Sequence, residues 1–461
     1  MHSWAARHVL EQHAPPGGVF GFEKESKAKK NETAAERGAG GAAAPPLPPL
    51  SLPQQSSLPP PHDVMITNGN NPTLEAVLRL FCDRGDDLLC EEYTYPHVAE
   101  SLALPAGIVP CPVACDVGSG SNGDDESDGG YDDGGGIRPE ALDAAIAARV
   151  AARPDGRAPK LLYTVPVGQN PTGAVAGRER RQKVYAVCRK WGVAIVEDDP
   201  YYYLQYGNGD GDGKAKKKKE EEGSEEEEQQ QPLKGLHGLG ASYLSLDVDG
   251  RVIRLDSFSK VLFPGVRLGW ATAPRAVIDK LVCHLHGVAL GAPPLAQVLT
   301  SALLLRGWGG GDDGPGGLGG PGGGGGGADG GGRGGAGPFA GFERHVQTMQ
   351  REYRRRASVA HAAASRHLAG LASWRRPAAG MFLWATLAAD LAPVAGAALA
   401  RARSAGVVVV PGAYAHCSGD RERPCACFRL SFAGASDEAL EEGIRRLGAA
   451  LRATRGEMAT E

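Results

Sequence analysis

Short, unbroken apolar runs alternate with amphipathic stretches over much of this chain. The runs at 88–90, 161–164, 193–197, 252–256 and 268–272 are short and mostly apolar, with Arg254 inside the fourth, the pattern of strands buried on both faces of a parallel sheet. Between them, 72–81, 178–191 and 276–290 carry apolar residues at helical spacing. Strands alternating with helices predict an α/β large domain, a mostly parallel sheet with helices on both faces. Farther along, a helix at 339–371, a strand at 381–386, a helix at 393–405 and strands at 407–410 and 426–432 are expected. A last helix at 437–454 opens on Ser436 as N-cap, with Glu438 and Glu441 in its first turns. This second block predicts a smaller α+β C-terminal domain.

Four segments interrupt the pattern. Residues 17–60 are Pro/Ala/Ser-rich, 118–136 acidic and glycine-rich, 207–232 set KAKKKK before EEEGSEEEE, and 309–337 are nearly all glycine. Each offers too few apolar side chains to offset the entropy of ordering it, so all four are expected to be disordered. The glycine run contains chance GxGxxG matches, but no apolar strand precedes it, and a dinucleotide site is not expected there. The domain reading is therefore an N-terminal helix and spacer at 1–62, and a large domain at 63–306 with insertions at about 118–136 and 207–232. A Gly-rich insertion at 307–337 and a small domain at 338–461 follow.

A formal net charge of −4 leaves no basic excess for a nucleic-acid backbone. No apolar stretch approaches the roughly 18–20 residues of a membrane helix, and the first residues lack a secretory pattern. The expectation is a soluble cytoplasmic protein without nucleic-acid or membrane partners. Its nine cysteines form no CxxC pairs and are read as reduced thiols; no metal site is expected.

Ligands of α/β sheets collect beyond the carboxyl ends of the strands. The strand VAIVE ends in Asp198-Asp199-Pro200-Tyr201: an acidic residue there suits a buried cation, and the tyrosine can reach the same ligand, though an acidic turn explains the segment equally well. The strand LLYTV runs into Pro166–Gly173, a rigid turn from which Asn170 could donate to a ligand oxygen. The strand VIRLD runs into Ser257-Phe258-Ser259-Lys260, with Arg267 following. A lysine among apolar residues can lose its proton and become nucleophilic toward carbonyls, while two hydroxyls and an arginine suit a dianionic phosphate. The segment also satisfies S-x-x-K, but neither S-D-N nor K-T-G follows, so acyl transfer is not favoured.

The phrases ITNGNNPTLEAV, EEYTYP, YTVPVGQNPTG, VEDDPYYYLQY, DSFSKVLFPGVRLGW, AAGMFLW and CFRLSFA, in that order, resemble the class I/II aminotransferases. These are fold type I enzymes dependent on pyridoxal 5′-phosphate (PLP), and the likeness is to the fungal aromatic, 2-aminoadipate and kynurenine-type members. The resemblance implies that Lys260 binds PLP as a Schiff base and shuttles the substrate proton, that Asp198 pairs with the pyridine nitrogen, and that Asn170 and Tyr201 hydrogen-bond the phenolic oxygen. By the same resemblance Tyr95 stacks on the ring. Backbone amides of Asn70 and Asn71, with Ser257, Ser259 and Arg267, hold the phosphate; Arg429, with Asn170 beside it, clamps the substrate carboxylate. Tyr202 and Tyr203 are left as packing. The implied activity is transfer of an amino group from an aromatic or 2-aminoadipate-like amino acid to a 2-oxo acid such as 2-oxoglutarate, in a homodimer. Family members open with a segment that covers the substrate, and only MHSWAARHVLEQHAPP resembles the helix after it; the arm is expected to be missing. A PLP-dependent lyase or decarboxylase, or a non-catalytic cofactor-binding remnant, stays open as an alternative.

Overall fold

The computed structural model describes residues 2–13, 61–117, 135–206, 235–236, 238–307 and 339–458. Its larger sheet has seven strands: β1 (His62–Thr67), β2 (Asp87–Glu91), β3 (Val109–Val113), β6 (Leu161–Thr164), β7 (Ala194–Asp198), β8 (Val252–Ser257) and β9 (Gly269–Pro274). Two short strands, β4 (Cys115–Asp116) and β5 (Gly136–Ile137), pair separately. The order across the sheet is β1-β9-β8-β7-β6-β2-β3. Strands β3, β2, β6, β7 and β8 run parallel, as expected. The 268–272 run is a correction: β9 is antiparallel to β8, because only an 11-residue connection, too short for a crossover helix, joins them. Strand β3 was not anticipated, because Pro110 and Pro112 break its pattern; its place at the sheet edge is where proline is tolerated.

Successive residues of each strand enter opposite layers. Leu89, Leu162 and Ile195 meet α3 (Pro139–Ala152) and α4 (Arg178–Trp191) through Leu142, Ile146, Val184 and Cys188. Tyr163, Val196 and Ile253 face α2 (Asn70–Phe81) and α5 (Arg275–Ala289) through Leu74, Val77, Val277 and Ile278. Helix α1 (His2–His13) joins the first layer, where the Trp4 ring lies 5.6 Å from Phe258, 5.8 Å from Trp270 and 5.3 Å from Phe342. Burying an aromatic of this size contributes about 1.5–3 kcal/mol. His8 of the same helix is fully buried against Tyr203, and burial holds its pKa down at about 3, so it packs as a neutral ring.

Helix α6 (Pro294–Ala302) precedes the second block. There α7 (Ala340–Leu368), α8 (Ala395–Ser404) and α9 (Asp437–Met458) cover an antiparallel sheet of order β10-β11-β13-β12, formed by Ala372–Trp374, Phe382–Leu387, Cys427–Ser431 and Val410–Pro411. Leu383, Ala385, Leu387, Phe428 and Leu430 point into its core, which leaves Phe382, Trp384 and Arg429 on the other face. The strand expected at 407–410 shrinks to Val410–Pro411, paired only with Phe428 and Arg429. Ser436 caps α9 as expected, its Oγ accepting the Ala439 N–H at 3.2 Å. The spacer at 17–60 lies outside the described residues. So do the insertions, except at their edges: Gly136 pairs with Asp116, and Gly307 ends the turn Leu303–Gly307.

Candidate active site

The carboxyl ends of β7 and β8 hold the charged centre of the molecule. Asp198, the last residue of β7, is 5% exposed. Its Oδ1 accepts from Asn70 Nδ2 at 2.6 Å and its Oδ2 from the Tyr163 hydroxyl at 2.8 Å. Burial pushes the carboxyl pKa up, while Asn70, Tyr163 and the more distant Arg254 pull it back. Both braces were unread in the sequence. Asn70 was assigned a backbone role only, and Tyr163 was one residue of an apolar run, although a buried tyrosine hydroxyl always needs a partner. Below Asp198, the fully buried Arg254 lies 3.2 Å from Glu197, 3.1 Å from Asp199 and 2.8 Å from Asp256. Arg181 adds a second, longer contact to Glu197 at 3.7 Å, and burial raises Asp256 to about 6.

The start of α2 is open. Its N-cap, Gly69, has φ 100° and no side chain to bond the first turn, so the amides of Asn70 and half-buried Asn71 keep no side-chain acceptor. A Cβ on Gly69 would stand 3.0 Å from Arg267 Nη2, so glycine lets the guanidinium lie along this loop. Arg267 Nη2 donates to Asn68 O at 3.4 Å, and no salt bridge engages it among the described residues. Ser257 Oγ accepts the Ser259 N–H at 3.0 Å and retains its own proton for another acceptor. Lys260 is half-buried; desolvation, then the charges of Arg267 and Arg429, lower its pKa.

Asn170 is carried by a loop that is fixed from below. Gln169 donates from Nε2 to buried Glu91 at 2.9 Å and to Tyr93 O at 2.6 Å, and its Oε1 accepts from the Thr172 N–H at 2.8 Å. Gly168, at φ 54°, meets Gly380 of the small domain so closely that a Cβ would fall 2.6 Å from the Gly380 Cα. Arg429 Nη1 donates to Asn170 Oδ1 at 2.6 Å, and its Cζ stacks 4.4 Å from the Phe382 ring centroid. The amide nitrogen of Asn170 is left to donate, close to the buried Tyr201. Arg429 Nε is buried without a hydrogen-bond partner. Tyr95 stands half-buried close to Tyr201, on a loop tied down by Thr94 N–H donating to Ala415 O at 2.7 Å. The structure thus gathers Asp198 with Asn70, Lys260 with Arg267 and Arg429, and Tyr201 with Asn170 and Tyr95.

A doubly covered sheet with a desolvated lysine and a braced aspartate beyond its strand ends, facing an arginine from a second sheet, defines a fold type I PLP-transferase architecture. The chain belongs to the aminotransferase class I and II family, whose pattern it matches over residues 54–305 and 338–447. It is 32% identical over 416 residues to an aminotransferase, swnA, of Metarhizium robertsii, covering 85% of this chain and 68% of that one. It is 33% identical over 384 residues to the L-tyrosine:2-oxoglutarate aminotransferase amt1 of Serpula lacrymans, covering 79% and 60%. The mitochondrial kynurenine/alpha-aminoadipate aminotransferase of Bos taurus is 29% identical over 393 residues, covering 85% and 74%. Among solved structures, aminotransferase Aro8 from Candida albicans superposes with a TM-score of 0.65 at 30% identity, covering 86% of this chain and 73% of that one.

Proposed function

We propose that this chain is a PLP-dependent transaminase that moves an amino group from an aromatic or 2-aminoadipate-like amino acid to a 2-oxo acid, with 2-oxoglutarate as acceptor. The observation that carries the reading is one site holding a lysine with a depressed pKa, a buried carboxylate short of a cation and an arginine without a carboxylate partner. These residues fit PLP: Asp198 would face the pyridine nitrogen, the amides of Asn70 and Asn71 with Ser257, Ser259 and Arg267 the phosphate, and Asn170 and Tyr201 the phenolic oxygen. When bound, the cofactor supplies an electron sink for reaction at the substrate Cα.

The chain's own residues supply the rest. Lys260, held toward its neutral form by desolvation and two guanidinium charges, is poised as a nucleophile and as the base that moves the Cα proton. Asp198 would keep the ring nitrogen of a bound cofactor cationic, and a cation there would relieve the cost of burying the carboxylate. Tyr95 offers a ring face, and Phe382 lies flat under Arg429, which orients the guanidinium for bidentate capture of a carboxylate. An aromatic donor is favoured by the relatives' named activities and by Phe382 and Trp384 on the face that carries Arg429.

A homodimer belongs to the same proposal. Its support is the apolar face of Val288, Leu290, Leu295, Val298 and Leu299, all more than 60% exposed, which is unusual on a monomer surface. A cytoplasmic location is proposed with it, although the bovine relative is named as mitochondrial. The test is an absorbance spectrum of purified protein with PLP, before and after tyrosine, kynurenine and 2-aminoadipate. A visible band that shifts on adding donor is expected, with a 2-oxo acid as product; no band, or ammonia and pyruvate as products, overturns the reading.

A further inference from the structure

Beside the site lies a pair of thiols that the transaminase reading does not use. Cys427 opens β13 on the face that carries Arg429 two residues on, and Cys425 lies two residues before it, just outside the strand. Both are half-buried and free of any disulfide. They converge over Gly412, where a Cβ would stand 2.7 Å from Cys425 Sγ and 3.0 Å from Cys427 Cβ, so only glycine leaves room for both. Two hydroxyls hold the sulfurs from outside: Tyr93 at 3.6 Å from Cys425 and Thr386 at 3.4 Å from Cys427. Each thiol thus has a polar partner and a sulfur neighbour.

We propose that Cys425 and Cys427 form a reversible dithiol–disulfide site that exchanges with a small-molecule disulfide of the glutathione type. The proposal goes beyond the transaminase reading and does not depend on it. Neighbouring Cys427 and the Tyr93 hydroxyl, with the charge of Arg423, favour the thiolate at Cys425, whereas Cys427 is held protonated. The Cys425 thiolate attacks one sulfur of the small disulfide; a mixed disulfide forms and one small thiolate leaves, taking the Cys427 proton. Cys427 then attacks the Cys425 sulfur and expels the second small thiol. Two protein thiols are oxidised and one disulfide is reduced to two thiols.

The test uses the full chain, incubated with oxidised glutathione and mapped by mass spectrometry. Expected is a Cys425–Cys427 peptide lighter by two hydrogens and restored by dithiothreitol, while exposed Cys283 takes up glutathione without pairing. In Cys427→Ser the mixed disulfide on Cys425 should persist, because nothing resolves it. Alkylation of Cys425 should change less than about 2-fold from pH 7 to 8, against about 8-fold for a thiol of ordinary acidity. Free, alkylatable Cys425 and Cys427 in wild-type protein under conditions that modify Cys283 would overturn the proposal, and that result needs no variant.

Discussion

Replacing Tyr163 with phenylalanine removes one oxygen from a fully buried ring and deletes the 2.8 Å bond to Asp198 Oδ2. A hydrogen bond to a charged group contributes about 1.5–3 kcal/mol against about 0.5–1.5 kcal/mol for a neutral one, and the difference, at 1.36 kcal/mol per unit, corresponds to roughly one unit in the acidity of Asp198. The direction follows from burial: the folded-state pKa is already above its ordinary value, with Asn70 and Tyr163 opposing the rise. Such a carboxyl binds its proton more tightly when folded. Its contribution to stability is therefore full at low pH, declines as pH rises from about 4, and levels off above the folded pKa. In Tyr163→Phe the decline runs about one unit farther. The gap between wild type and variant should widen with pH, from the ~0.5–1.5 kcal/mol of a neutral bond at acid pH to ~1.5–3 kcal/mol above pH 8. Urea unfolding of cofactor-free protein at pH 5, 7 and 9, followed by tryptophan fluorescence, measures it. A gap that is constant, or that narrows as pH rises, refutes the reasoning.

Arg429→Lys keeps the charge but loses the planar fork. A loss of about 1.5–3 kcal/mol should raise the donor KM roughly 10- to 150-fold in steady-state kinetics. Arg254→Met strands the buried carboxylates of Asp199 and Asp256 and should cost ~3–5 kcal/mol in chemical denaturation, with a deficit that grows between pH 5 and 8 as those two would ionise. Gly380→Ala places a Cβ 2.8 Å from the Gly168 backbone at φ 72°. It should destabilise the fold by about 1–3 kcal/mol and weaken donor binding, because Gly168 leads into the Asn170 loop; a melting curve and a KM measurement check it.

The sequence is most legible where one residue type answers one physical demand. Central parallel strands read as solid apolar runs because both faces are covered, and the strand ends were visible because polarity begins there abruptly. Edge and antiparallel strands were harder. His62 and Asp63 in β1, and the prolines in β3, obscure the pattern, since an edge strand is not obliged to be apolar. Among the residues proposed for the site, Lys260, Asp198 and Arg429 stood out by motif context, but the partners that hold them did not. Tyr163 and Asn70 lie 35 and 128 residues from Asp198, and nothing local marks a hydroxyl or an amide as the brace of a distant carboxylate.

The layer under Asp198 shows why such contacts decide what the site can do. Arg254 contacts Glu197, Asp199 and Asp256, Arg181 lies 3.7 Å from Glu197, and the backbone amides of Tyr243 and Leu244 supply two more donors to Glu197, at 2.8 and 3.1 Å. Asp198 is excluded from this set: it has amide and hydroxyl donors but no cation within salt-bridge distance among the described residues. A neutral brace fixes the carboxylate in place without neutralising it, so its field stays available to a ring nitrogen that arrives later. Had Arg254 reached Asp198 instead, a resident cation would neutralise that carboxylate, and under the proposed function it would no longer hold a cofactor cationic.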